Sequence, residues 1–116
     1  MFIATVIVSL LLAAIALASA SLKFRPDSAP ARTIMSLGVP PSWLPRLAAA
    51  EIAGAVGLIV GLAWAPIGIA AAAGLVVYFV GAIVAHVRAD DAANSKNAVL
   101  PLVLSIAALV LRIATA

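Results

Sequence analysis

The chain contains no cysteine, which excludes disulfides, thiolate nucleophiles, cysteine-ligated zinc and thiolate-held iron–sulfur clusters. Charge is nearly as scarce. Asp, Glu, Lys and Arg make up 9% of the 116 residues, against roughly 25% in soluble globular domains, so there is too little polar surface to face water on every side. Aromatic residues amount to 5% and form neither a cage nor a base-stacking platform. With no basic groove either, a nucleic-acid partner is excluded. The glycines lie in apolar runs without an accompanying lysine, so none belongs to a phosphate loop. No Lys or Arg precedes the first apolar run, whereas a signal peptide normally starts with positive charge. That run therefore reads as a retained helix, although Ala18-Ser19-Ala20 is similar to a small-residue cleavage site.

What remains is 66% hydrophobic and falls into four runs, at 2–20, 47–64, 67–87 and 99–115. About 20 apolar residues cross a hydrocarbon core as a helix, so the pattern predicts an all-α, polytopic membrane protein, an antiparallel four-helix bundle in a single domain over 1–116. The spans at 47–64 and 99–115 are short, which implies tilt or a thin bilayer. Between 23 and 46 lie Pro26, Pro30, Pro40, Pro41 and Pro45, a density that no single helix tolerates. Short turns near Ala31 to Leu37 and Ser42 to Leu47 would lie at the interface, with Trp43 beside Arg46 at headgroup level and Trp64 at the far interface. Ala65-Pro66 forces an antiparallel hairpin, and Pro101 is expected in the first turn of the last span.

Six of the seven basic residues, Lys23, Arg25, Arg32, Arg46, Arg88 and Lys96, fall in the loops after the first and third spans. The positive-inside tendency places loops 21–46 and 88–98 in the cytoplasm of a bacterial plasma membrane, with both termini external. Arg112 opposes this weakly and would snorkel to an interface. Small residues recur at close-packing spacing. Gly54, Gly57 and Gly61 in the second span are answered by Gly68, Ala71, Gly74, Gly81 and Ala85 in the third, as helix pairing in lipid or an oligomer interface requires.

Glu51 is the most informative residue, because an unpaired carboxylate one turn inside a span is costly and must find a partner or a proton. His86, near the end of the antiparallel third span, is expected at nearly the same depth, with Arg88, Arg46 and Asp90 close by and Lys96 further out. Tyr78 shares a helical face with Ala82 and His86. Together with Ser105 it would line a cavity between the helices. Three alternatives stand. Glu51 pairs with Arg46 or Arg88 and fixes the helices; or Glu51, Tyr78, His86, Arg88 and Ser105 hold a lipophilic ligand through a carbonyl, hydroxyl or quinone oxygen. In the third, Glu51, His86 and Asp90 perform acid–base catalysis on a small lipophilic substrate, by isomerisation, epoxide opening or cyclisation. One histidine and scattered carboxylates lack metal-ligand spacing, and no nucleophile elbow surrounds Ser105. Asp91, Asn94 and Lys96 read as a solvated loop.

The order of residues resembles the DoxX-like family of small integral membrane proteins. The segments that carry the likeness are the stretch from Glu51 to Leu62, with its glycines, the Pro66 hairpin, the ending Gly81-Ala-Ile-Val-Ala-His86-Val-Arg88, Asp90 and the Pro101 helix. It covers nearly the whole chain. The resemblance implies a compact four-helix membrane bundle and groups Glu51, His86, Arg88 and Asp90 at one site. It also implies a range of roles, since larger relatives are linked to thiosulfate oxidation with a quinone acceptor, others to membrane redox complexes, and more distant bundles to receptor assembly. No haem or flavin motif accompanies it, so no cofactor is assigned and a directly bound quinone is the redox-active molecule it leaves open. Membrane lipids, a lipophilic small molecule, and a homo-oligomer or larger membrane complex are the partners these readings imply.

Overall fold

The computed structural model describes residues 1–25, 27–89 and 92–116, and for residues 92–95 the backbone alone. Five α-helices follow in order: α1 (Phe2–Lys23), α2 (Ala29–Ser36), α3 (Leu44–Val60), α4 (Ala65–Arg88) and α5 (Ala92–Ala114), with a single 3-10 turn, Pro41–Trp43, leading into α3. No strand occurs among the described residues. Among the described residues, four helices are long and apolar enough to cross a membrane: α1, α3 with its preceding turn, α4 and α5. The fold class is therefore the expected four-helix membrane bundle.

The proline-rich connection folds around two local devices. The Ser28 hydroxyl accepts from the Ala31 amide at 3.3 Å and donates to the Leu22 carbonyl at 2.7 Å, so it both caps α2 and ties it to the end of α1. Pro30 occupies the first turn of α2, where its missing N–H costs nothing. Gly38 then turns the chain with φ 88°, a conformation that residues with a Cβ rarely adopt.

The four spanning helices form a closed ring in which α1 packs against α3 and α5, and α4 packs against the same two. Lys23 at the end of α1 meets Glu51 in the first half of α3, and Thr5 near the start of α1 meets Leu111 near the end of α5, as antiparallel neighbours do. Leu12, Ala16, Ala55, Leu58, Ala72, Leu75, Phe79 and Ala108 fill the centre. Ile3, Ile7, Val56, Val77, Leu100 and Val110 face outward, while Thr5, Ser9, Lys23, Glu51, His86, Ser105 and Arg112 are buried. This distribution, apolar outside and polar inside, suits a hydrocarbon surround, where apolar surface carries no penalty and polar groups must be satisfied internally.

Glycines set the approach of α3 to α4. A Cβ on Gly61 would lie 2.1 Å from the Gly68 Cα, so the two backbones touch at this crossing. Nearer the other end, Cβ atoms on Gly57 and Gly54 would meet Ala71 and Leu75 at 2.7 Å. The ridge read from the sequence is thus used within the chain at these positions. Gly74 and Gly81 differ, since a Cβ on either would meet nothing within 4 Å.

A second set of bonds closes the Met1 end of the bundle. Arg112, expected to snorkel, is instead buried: its Nε donates to the Gly61 carbonyl at 2.9 Å and its guanidinium stands 5.6 Å from the centre of the Phe2 ring. It also donates to the Thr115 hydroxyl at 3.2 Å, while Thr5 and Thr115 share a hydrogen bond of 3.3 Å. The tight Gly61–Gly68 turn leaves the Gly61 carbonyl facing α5, and arginine satisfies it there. Pro101 lies inside α5 rather than in its first turn, because that helix already begins at Ala92. Four residues on, Ser105 donates to the Pro101 carbonyl at 2.6 Å.

Candidate functional site

Glu51 sits two turns into α3, because that helix starts at Leu44. Leu44, Ala48, Glu51, Ala55 and Leu58 form its buried stripe, with the three- and four-residue spacing of one helical face. The carboxylate is consequently fully enclosed. Its partner is Lys23, whose ammonium stands 2.5 Å from Oε1. Lys23 is the last residue of α1, and α1 lies directly against α3, so the lysine meets Glu51 across the helix seam.

This corrects the expected pairing of Glu51 with Arg46 or Arg88. Arg46 is exposed and stacks over Trp43 at 5.3 Å, and Arg88 is exposed at the end of α4. Neither has to leave the headgroup level to be hydrated, whereas Lys23 is carried inward by the buried face of α1. In sequence Lys23 counts among the basic residues of the loop after the first span, where charge is ordinarily a hydrated flank. The signal that finds it is its register with Ala13, Ala16 and Ala20 on the small, buried face of α1.

Three donors converge on one carboxylate oxygen. Besides Lys23, the Ser19 hydroxyl donates to Oε1 at 3.3 Å and the Tyr78 phenol donates to it at 3.2 Å. Lys23 also donates to the Ser19 oxygen at 2.7 Å, one turn back along α1. Ser19 thus links the two charges. The other carboxylate oxygen, Oε2, is buried and has no hydrogen-bond partner among the described residues. A buried acceptor left unmade is costly, so such atoms in native folds call for an explanation.

The helix register decides which of the expected residues meet. Tyr78 is level with Glu51, in step with the Gly54–Leu75 and Gly61–Gly68 contacts. His86 is buried two turns further along α4, about 12 Å at the helical rise, and so lies level with the start of α3 rather than with Glu51. Arg88 is one turn-half beyond it and exposed. Ser105 is fully buried in α5 with its hydroxyl committed to its own helix. Asp90 and Asp91, and the side chain of Asn94, lie outside the described residues.

Beside Glu51, on the outer surface, a shallow open groove of about 450 Å³ runs between α3 and α4. Ala50, Ala53 and Gly54, which flank Glu51 along α3, make one wall; Ala71, Gly74 and Leu75 make the other. Tyr78 closes one end. Its ring therefore stands at the junction of an apolar trough and a buried carboxylate, with T-shaped support from Phe79 at 5.1 Å.

The model of the DoxX-like family matches this chain over residues 7–111. No curated protein and no solved structure matches it. The match spans all four membrane helices, and the chain belongs to the DoxX-like family: a small multi-pass membrane protein with a buried Lys23–Glu51 pair.

Proposed function

We propose that this DoxX-like protein is a membrane binding module that holds a lipophilic molecule in the groove between α3 and α4. The polar head lies against Tyr78 and Glu51, and the apolar remainder lies along Ala50, Ala53, Gly57, Ala71 and Gly74. The observation that carries this reading is the apolar groove with Tyr78 as its one polar side chain, whose phenol donates to the buried Glu51, a carboxylate with one oxygen, Oε2, left without a partner among the described residues. A ring bearing oxygen substituents and an alkyl or isoprenoid tail, quinone-like in outline, has the matching division of polarity. His86 and Arg88 lie toward the membrane surface and serve the outer part of the site. Their distance from Glu51 along α4 favours binding over a reaction that needs Glu51 and His86 on one atom.

Gly74 offers a direct test, because it lines the groove yet a Cβ there meets no neighbour. Gly74→Leu should fold as the wild type does and fill the trough. Protein purified from its own membrane, analysed by mass spectrometry for co-purifying small molecules, should lose its lipophilic companion in this variant. Equal retention by both proteins would contradict the placement.

The module is read as a single domain of a bacterial plasma membrane, with loops 21–46 and 88–98 cytoplasmic, supported by the six basic residues on that side. Since the chain has no cysteine, single cysteines are unique probes. Ser36→Cys should be protected from a membrane-impermeant maleimide in intact cells and Ala63→Cys should react, both positions being exposed in the bundle. The reverse pattern would invert the topology.

A further inference from the structure

We propose that the chain binds one anionic phospholipid at the Arg88 end of α4, with the phosphate on the Arg88 guanidinium and the upper part of an acyl chain laid over Gly81 and Val84. This site adjoins the outer end of the α3–α4 groove and does not depend on what that groove holds. A second open groove, of about 410 Å³, lies here, lined by Gly81, Val84, Ala85 and Arg88 of α4 and by Leu37, which follows α2. The proline-rich connection thus supplies one wall. Gly81, Ala85 and Arg88 share a helical face, and a Cβ on Gly81 would meet nothing within 4 Å, so the floor of the groove is open to a chain from the surrounding bilayer. From Gly81 to Arg88 the helix rises about 10 Å, enough to join the acyl level to the headgroup level. Charge selects the head. Arg88 is exposed and makes no salt bridge among the described residues, and its planar fork matches a pair of phosphate oxygens. The carboxyl end of a helix repels anions, so the attraction has to come from this side chain. Among the described residues no acidic group lines the groove, which leaves the ammonium of a zwitterionic head without a partner. Arg25, Arg32, Arg46 and Lys96 are exposed at the same end, and with Arg88 they outnumber Asp27, Asp90 and Asp91 of the same connections. That net positive field favours a negative lipid, and the apolar floor favours a lipid over free phosphate.

The test places the full chain in nanodiscs of equal parts phosphatidylglycerol and phosphatidylcholine and counts the lipids that stay bound by native mass spectrometry. The wild type should keep one phosphatidylglycerol, favoured about tenfold over phosphatidylcholine, the low end for a charge-assisted hydrogen bond. Arg88→Gln should lose that preference, and Gly81→Leu, which fills the floor, should lose the retained lipid. Arg32→Gln removes an exposed arginine of the same face that does not line the groove, and should change neither. All three positions are exposed, and helical circular dichroism with a cooperative melt establishes that each variant is folded. Excess glycerol 3-phosphate should not displace the lipid. Equal loss of preference in Arg32→Gln and Arg88→Gln would overturn the proposal, because the whole basic face would then attract anionic lipid without a discrete site. A preference that survives Arg88→Gln, or retention that survives Gly81→Leu, would overturn it as well. Displacement by glycerol 3-phosphate would show a site for soluble phosphate and overturn the lipid as its occupant. None of these outcomes bears on the α3–α4 groove, which Gly74→Leu tests separately.

Discussion

Removing one charge of the Lys23–Glu51 pair is expected to destabilise the bundle by about 3–5 kcal/mol, the usual cost of leaving a buried partner uncompensated. Lys23→Met leaves the Glu51 carboxylate fully enclosed with only the Ser19 and Tyr78 hydroxyls on it. Glu51→Gln leaves an ammonium that is almost as deeply buried, held by Ser19. Substituting both together should recover most of the loss, since desolvation of two ions disappears along with their attraction. Reversible unfolding in mixed micelles, read as a double-mutant cycle, should give a coupling larger than either single effect, above about 3 kcal/mol. Strictly additive single effects would show that the two side chains are hydrated separately.

Gly61→Ala is the second large effect. The added Cβ would be built 2.1 Å from the Gly68 Cα and 2.3 Å from its nitrogen, and neither backbone atom can rotate aside. The helices must separate at this end, which also draws the Gly61 carbonyl away from Arg112. Overpacking of this kind costs about 1–3 kcal/mol, and loss of a charge-assisted hydrogen bond adds about 1.5–3 kcal/mol. Gly74→Ala and Gly81→Ala are the controls, because each Cβ points into open space. They should stay within about 1 kcal/mol of the wild type, on the stabilising side, since alanine is the better helix former. A Gly61→Ala protein that melted with these controls would show that the close crossing is not maintained in the membrane.

The bundle was legible because its causes are local and strong. Apolar runs of spanning length, broken by prolines near 26–45 and by Ala65-Pro66, leave few other folds, and the glycine spacing of α3 anticipated its approach to α4. Glu51 was legible for the same reason, as the one carboxylate in the middle of an apolar segment. Its surroundings were harder to read. Partner choice depends on register: a start at Leu44 instead of Leu47 moves Glu51 inward by most of a turn, away from the level of His86, and the α3–α4 crossing sets it level with Tyr78. Lys23 and Arg112 looked like charges at helix ends, where snorkelling is the ordinary outcome. Both are drawn inside by the small faces beside them: alanines on α1 in one case, and the Gly61–Gly68 crossing in the other. Which neighbours a helix end meets is a property of the assembled ring, and the hydropathy of one segment does not encode it.

Two polar clusters now frame the apolar core, one at each end. The Arg112 set is closed, with its hydrogen bonds directed to carbonyls and a hydroxyl of the chain itself. The Glu51 set is lopsided, with every donor on one oxygen and none on the other. That contrast is the reason for placing the binding function at Glu51 and a purely fixing role at Arg112.

The most direct measurement is a high-resolution structure of the protein extracted with its own lipids, joined to mass spectrometry of the small molecules that remain bound. The account predicts a discrete lipophile in the α3–α4 groove, with a polar head within hydrogen-bond distance of Tyr78 or Glu51 Oε2. Lipid chains that cover the groove as they cover the rest of the bundle, with no head group on either residue, would contradict it.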